Sequence, residues 1–220
     1  MPNQHLDYPG LSGEHFCNAR AFFDRSDMLL SLRPQKGLVI GEIGVGFGHF
    51  THFVIEHMKP AKFVAIDLFD LHTLSELWGK PASEHFGTRS HRAFYEETFA
   101  YAGDIMVVEQ GQSYERIATY PDGFFDILYI DAGHTYDDVR RDAAASVGKV
   151  KDDGLLVFND YTLYDHLGHP YGVVQAVNEL IVVSDWKVVG FSLQHYMYCD
   201  IALSRCRREG GGAVAAPLAP

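Results

Sequence analysis

Glu42-Ile43-Gly44-Val45-Gly46-Phe47-Gly48 is the stretch on which the fold turns. It ends an apolar run, Leu38 to Ile43, and opens a segment in which Phe50, Phe53, Val54 and Met58 recur at helical spacing. It therefore reads as a strand passing through a glycine turn into a helix. Glycines at such a turn let a ligand approach the backbone and meet the helix N-terminus, although the same turn also serves purely structural ends. Asp67 supplies the second element. It ends the next strand, 21 residues after Gly46, where a carboxylate can accept both hydroxyls of a ribose. Together these residues indicate a nucleoside-containing ligand. The dinucleotide pattern G-x-G-x-x-G is not met, because its third glycine position is His49, and an NAD reading weakens accordingly.

Working outward, apolar runs recur at Phe63 to Phe69, Ile105 to Glu109, Phe125 to Ile130 and Leu155 to Phe158. Most lack alternation, as central parallel strands buried on both faces do. Val139, Ala143, Val147 and Val150 form a helical face between two of them, and Thr135 with Asp138 resembles a capping box that starts a helix near Tyr136. Lys59-Pro60 stops the helix after the glycine turn. Val173, Val174, Val177, Leu180 and Ile181 mark a further helix. Two strand-like runs follow, Trp186 to Phe191 and Tyr196 to Leu203, and the four residues between them allow only an antiparallel pair. The expected fold is α/β and doubly wound, a seven-stranded, mostly parallel sheet with the last strand antiparallel and helices on both faces. Residues 1–36 form an N-terminal helical or lid extension, with Phe22, Phe23, Met28, Leu29 and Leu32 on one helix. Residues 37–205 form the main domain with an insertion at 70–102, and 206–220 a Gly/Ala/Pro-rich tail expected to be disordered.

Composition narrows the function. The 220 residues, 47% hydrophobic and 21% charged, make one globular domain and exclude intrinsic disorder. No apolar run approaches the roughly 18 residues that span a bilayer. With 18 Lys+Arg against 29 Asp+Glu and a net charge of -11, a non-specific nucleic-acid binder is disfavoured. Cys17, Cys199 and Cys206 are scattered, without CxxC spacing, so neither a disulfide framework nor a zinc site is expected. The start lacks the basic and apolar regions of a secretory signal, and the cytoplasm is the expected location, with no membrane partner.

The chemistry-bearing residues gather at two further strand ends. Tyr129-Ile130-Asp131-Ala132-Gly133-His134 closes the fourth run and Phe158-Asn159-Asp160-Tyr161 the fifth. Carboxyl ends of neighbouring parallel strands converge on one crevice, where Asp131, Asn159 and Asp160 can present oxygen ligands to a Mg²⁺ or Mn²⁺. His134, three residues after Asp131, can act as general base there. The plainer readings are a helix-terminal histidine and a turn aspartate.

From about Gly37 to Arg205 the chain resembles the class I S-adenosylmethionine-dependent methyltransferases: EIGVGFG matches their first motif, Asp67 their ribose-binding acid, and the reversed last strand their topology. Within that class IDAGHTYDDVRRD, FNDY and GVVQAVNEL are similar to the metal-dependent O-methyltransferases of macrolide sugars (macrocin-type), and the layout is shared with catechol O-methyltransferases, which carry Lys where this chain has His134. The resemblance implies S-adenosylmethionine held by Glu42, Gly44, Gly46, Gly48, Asp67 and Asp131. It implies Gln112 and Ser113 near the adenine, Asp131, Asn159 and Asp160 as metal ligands, and His134 as base. Asn159 departs from the acidic residue frequent in the macrolide-sugar group.

The expected activity is methyl transfer to a hydroxyl of a small molecule, a sugar or phenol of a natural product. A metal-independent N- or C-methyltransferase, an NAD(P) oxidoreductase and a non-catalytic cofactor-binding protein are the competitors. The acceptor-contacting segments, 1–36, 70–102 and 161–171, carry no readable code, and a homo-oligomer is left open.

Overall fold

The connection from each strand to the next decides where a crevice opens in this molecule, known from a computed structural model that describes residues 8–194 and 198–205. In chain order the elements are β1 (Phe16–Phe22), α1 (Arg25–Leu32), β2 (Val39–Ile43), α2 (His49–Phe53, continued by a π-helical turn Val54–Met58), β3 (Lys62–Asp67), β4 (Glu76–Leu77), β5 (Lys80–Pro81), α3 (Ala82–Phe86) and α4 (His91–Thr98). They continue with β6 (Met106–Gln110), α5 (Ser113–Ala118), β7 (Phe125–Ile130), α6 (Tyr136–Ser146), β8 (Val150–Phe158), α7 (Val173–Val183), β9 (Trp186–Leu193) and β10 (Cys199–Arg205). The main sheet runs β1-β9-β10-β8-β7-β2-β3-β6. All its pairings are parallel except those of β10, which lies antiparallel between β8 and β9. From β2 the chain winds outward through β3 to β6, and from β7 it winds the other way through β8. The carboxyl ends of β2 and β7 therefore frame the switch point at which α/β sheets bind ligands.

Period-two alternation on central strands builds both layers of the core. Val64 and Ile66 face one cluster with Val139, Ala143, Val173, Val177 and Ile181 of α6 and α7. Phe63 and Ala65 face the other, with Met28, Leu29, Phe50, Val54 and Met58 of α1 and α2. Both sets are almost fully buried, each large side chain contributing about 1.5–3 kcal/mol. Thr135 caps α6 by accepting from the Asp138 amide, and Lys59 closes the α2 segment in the left-handed conformation.

The sheet has eight strands, one more than expected. β1 lies in the extension expected to be helical, paired parallel to β9 at the sheet edge. Its side chains are nearly all exposed, Asn18 takes a positive φ of 47°, and the register slips between Phe16 and Arg20, so it has no apolar period to read. The helix predicted from Phe22 onward is confined to α1, and Phe23 is solvent-exposed. Cys17 on β1 is disulfide-bonded, which the scattered cysteine spacing did not predict. The start of the last predicted strand at Tyr196 and the tail 206–220 lie outside the described residues. The 70–102 insertion folds as the small β4–β5 hairpin, α3 and α4, which dock on the glycine turn through Leu77, Phe86 and Phe94 around Phe47. Among the described residues no helix is long and apolar enough to cross a membrane.

Candidate functional site

A cavity of about 980 Å³ opens at the β2/β7 switch point. It is lined by Glu42, Gly44 and Gly46 from the glycine turn, Asp67 from β3, Gln112 and Ser113 before and at the start of α5, and Asp131 and His134 after β7. Seven of the residues expected to hold a cofactor thus share one wall with the expected base.

Glycine at 44 is dictated by packing as well as by its φ of +82°: a Cβ there would collide with the Asp131 carbonyl oxygen. At Gly48, φ +80°, a Cβ would enter the Phe99 ring. Gly48 does not line the cavity; it lets the chain turn into α2 beneath α4. At Gly46 the Cβ position is open, and its carbonyl bonds His91 Nε2 of α4 at 2.6 Å.

Asp67 is held by two backbone amides, Val45 N at 2.8 Å to Oδ2 and Phe69 N at 2.6 Å to Oδ1. Each oxygen keeps a lone pair, so the carboxylate is oriented to receive a pair of vicinal hydroxyls. Glu42 is buried, accepts from Thr51 Oγ1 at 2.6 Å, and is pushed up to about 8, chiefly by burial, against the pull of Thr51 and Arg25. Ser113 Oγ donates to Asp142 on α6, whose carboxyl burial raises to about 6. These residues fit a nucleoside carrying a cationic group: a fixed carboxylate for a ribose, polar groups at the α5 start, and a wall in which, among the described residues, Arg25 is the one Lys or Arg beside Glu42, Asp67, Asp70, Asp131, Asp138 and Asp142.

Asp142 and Arg25 are cavity residues that sequence reasoning missed. An acid three residues after Val139, on the buried face of α6, is the signal that could have found Asp142. Arg25 belongs to no motif. It reaches the wall from α1, donates to the Tyr129 hydroxyl at 2.8 Å, lies over the Phe50 ring and stands 3.9 Å from Asp131.

His134 Nε2 lies 3.3 Å from Asp160 Oδ2 and 3.8 Å from Asp131 Oδ1, and its ring stacks on Tyr171 at 4.6 Å. Burial lowers the imidazole's affinity for a proton, but Asp160 and Asp131 outweigh it, and the net direction is upward. Burial drives Asp131 well above the usual carboxylate range, with His134 and Arg25 opposing. Asp160 adopts a positive φ of 53°, an outlier of the kind that concentrates at functional sites.

The geometry lends the expected metal set no support. Asn159 spends its amide nitrogen on Tyr129 OH at 3.1 Å and Asp200 Oδ1 at 2.9 Å, and neither Asn159 nor Asp160 lines the cavity. His134 Nε2 lies within 4 Å of a carboxylate oxygen of each of Asp131 and Asp160. Among the described residues no three His, Cys, Asp or Glu side chains are arranged to hold an ion. The expectation of Asp131, Asn159 and Asp160 around Mg²⁺ or Mn²⁺ finds no support in this arrangement.

The sequence model of the family described as "Methyltransferase domain" matches residues 42–161, from Glu42 in β2 to Tyr161 beyond β8. Similar solved structures include an S-adenosylmethionine-dependent methyltransferase from Aquifex aeolicus, 13% identical over 84% of this chain and 90% of that one, TM-score 0.57. A protein assigned as an O-methyltransferase from Klebsiella pneumoniae is 15% identical over 82% and 78%, TM-score 0.57. Spermidine synthase from Thermotoga maritima is 15% identical over 81% and 57%, TM-score 0.52. At these identities the likeness is one of fold. A comparison with curated proteins finds no match.

Proposed function

This chain belongs to the methyltransferase-domain family and is an S-adenosylmethionine-dependent class I methyltransferase, and from that premise we propose that it methylates a hydroxyl of an uncharged small molecule. One observation carries the choice of hydroxyl: His134 beside the cavity, its Nε2 turned toward Asp160 and Asp131. A neutral amine is already a nucleophile, whereas a hydroxyl must lose its proton as the new bond forms, and a carboxylate-flanked imidazole is what that loss needs.

In this reading Asp67 takes the ribose hydroxyls, Gln112 and Ser113 border the adenine with Asp142 beneath, and Glu42, Gly44, Gly46 and Asp131 receive the methionine end, with Gly48 shaping the turn from behind. The bound cofactor supplies an electrophilic methyl group on a sulfonium. The acidic wall favours that cation and repels anionic acceptors, so phosphorylated substrates are disfavoured. Nε2, facing the carboxylates, keeps its hydrogen, and Nδ1 is the nitrogen left to take the acceptor's proton. Alignment of hydroxyl, methyl and sulfur carries most of the rate, roughly 7–11 kcal/mol, and the base adds a factor on the order of 10²–10⁴. No step here is routed through a metal. Residues 37–205 remain our assignment of the catalytic unit, with Arg25 drawn in from the extension.

The test is transfer of labelled methyl from S-adenosylmethionine to a panel of phenols, methyl glycosides and amines, with and without chelator. Methylated phenols or glycosides are expected, and the chelator arm decides whether a divalent cation takes part. Products confined to amines overturn the hydroxyl assignment, and loss of turnover in chelator that Mg²⁺ restores returns Asp131, Asn159 and Asp160 to the role of ligands.

A further inference from the structure

The β4–β5 hairpin turns on Trp78 and Gly79, whose φ angles are 48° and 78°. Both central residues are left-handed, a turn that Asn-Gly adopts readily and that a bulky side chain adopts under strain. Folding gains little in return. Trp78 stays 72% exposed, whereas the chain's other tryptophan, Trp186, is 1% exposed in the core. The indole is nevertheless held in one place. Its ring lies 5.0 Å from Phe47, Phe47 is packed by His85 and Phe86 at 4.8 and 5.4 Å, and His85 Nε2 donates to the Leu77 carbonyl at 3.3 Å. Trp78 also borders the main cavity. An exposed aromatic on a strained, buttressed turn beside a cavity is placed for a ligand rather than for the core.

We propose that Trp78 is a cofactor-binding residue, its indole packed against the ribose and methionyl part of S-adenosylmethionine. The inference rests on the cofactor lying along the glycine turn, Asp67 and Gln112, as in the reading above. Sheet order decides which ligand the indole meets. The strands run β7-β2-β3-β6, so the glycine turn after β2, Asp67 at the β3 end and Gln112 after β6 stand in a row. Asp131 and His134 follow β7, on the other side of β2. The hairpin leaves the β3 end through Asp70 and Leu71, both in the cavity wall, and returns to the glycine turn at Phe47, the residue after Gly46. The next helix of the insertion, α4, fastens to the same place. His91 Nε2 donates to the Gly46 carbonyl at 2.6 Å, and the Tyr95 hydroxyl lies 2.9 Å from Thr51 Oγ1, which donates to Glu42. The segment 70–102, expected to contact the acceptor, is therefore built onto the cofactor half of the cavity. An indole offers that ligand an apolar face for the ribose carbons and a π surface that attracts the sulfonium.

The chain has two tryptophans, one of them deep in the core, so tryptophan emission reports this contact directly. Acrylamide should quench the cofactor-free protein through Trp78. Saturation with S-adenosylhomocysteine should shift the emission to the blue and reduce that quenching, and Trp78→Phe should abolish both responses. Trp78→Asn carries a side chain suited to the left-handed turn, so its cofactor-free form should melt no lower than the native protein. In calorimetry the same variant should bind S-adenosylhomocysteine about 10-fold more weakly, the order expected when a ligand no longer shields part of an indole from water. The failures are separable. Asp67→Ala that binds as tightly as the native protein refutes the cofactor placement on which the inference rests. With Asp67→Ala weakened, native affinity in Trp78→Asn, or emission and quenching indifferent to S-adenosylhomocysteine, overturns the proposal alone. Emission that moves only when catechol joins the S-adenosylhomocysteine complex gives the indole to the acceptor and overturns it as well. So does a Trp78→Asn protein that melts well below the native one, since the indole would then be a packing residue.

Discussion

Glu42→Gln tests the electrostatics of the glycine turn through the pH dependence of folding. Glu42 is 1% exposed and its carboxyl is raised by burial from 4.5 to about 8. Above pH 4.5 the unfolded chain releases this proton while the folded protein keeps it. Stability therefore falls as pH rises, and the fall ends once the folded group also ionises near pH 8. At about 1.4 kcal/mol per pH unit, the loss across that window reaches roughly 5 kcal/mol. Asp142 and Asp200, both raised to about 6, act in the same direction at lower pH, so the informative quantity is the difference between native protein and variant. Gln keeps an oxygen for Thr51 Oγ1 and does not titrate, but its amide hydrogens enter a site built for an acceptor at a pH-independent cost of about 1–3 kcal/mol. Urea unfolding of cofactor-free protein from pH 5 to pH 9 should show the variant less stable at pH 5 and more stable at pH 9. Parallel curves would refute the burial argument. Cofactor binding offers a check on the same group, since a cationic ligand beside Glu42 should expel its proton: calorimetry at pH 7 in buffers of differing ionisation enthalpy should register up to about 0.9 proton released per site.

Three further outcomes are expected. Asp67→Ala should weaken S-adenosylmethionine binding by about 1.5–3 kcal/mol without altering the melting temperature of the free protein by more than a few degrees; unchanged affinity in calorimetry would remove Asp67 from the ribose. His134→Ala should lower kcat by a factor on the order of 10²–10⁴, less for a phenol than for a glycoside because the phenol is the stronger acid, and equal loss on both would contradict a proton-accepting role. Gly44→Ala should cost the left-handed penalty of about 1–2 kcal/mol plus the clash with the Asp131 carbonyl, so chemical unfolding that matches the native protein would show that the β2 and β7 ends are not locked together as described.

What could be read from the chain follows how local each cause is. The central strands are visible because burial on both faces leaves near-continuous apolar runs such as Ile127–Ile130. The start of α6 is visible because Thr135 and Asp138 are cap chemistry three residues apart. Glu42, Asp67, Asp131 and His134 are visible because strand ends are where such side chains must converge. β1 is not visible, for its stability comes from β9, far along the sequence, and its own side chains are exposed. Nor can a sequence reveal that Asn159 has given its nitrogen to Asp200, since that choice is made by a residue 41 positions away on an antiparallel strand. The type of side chain at a ligand position is a local fact; the direction in which it points is a tertiary one.

The pairing of β1 with β9 also carries a timing consequence. Phe16 stands opposite Val188, so the strand that leads into Arg25 has no partner until nearly the whole chain has been made, and Asp200 lies later still. Contacts of such separation form late because the intervening loop must close first. During synthesis the segment covered by the family match can gather around its own core while α1, which carries Arg25 and packs on β9, still lacks that strand. A chain released early would then hold the glycine turn and Asp67 in place and be catalytically silent. Commitment to turnover is thereby reserved for molecules whose two ends have met.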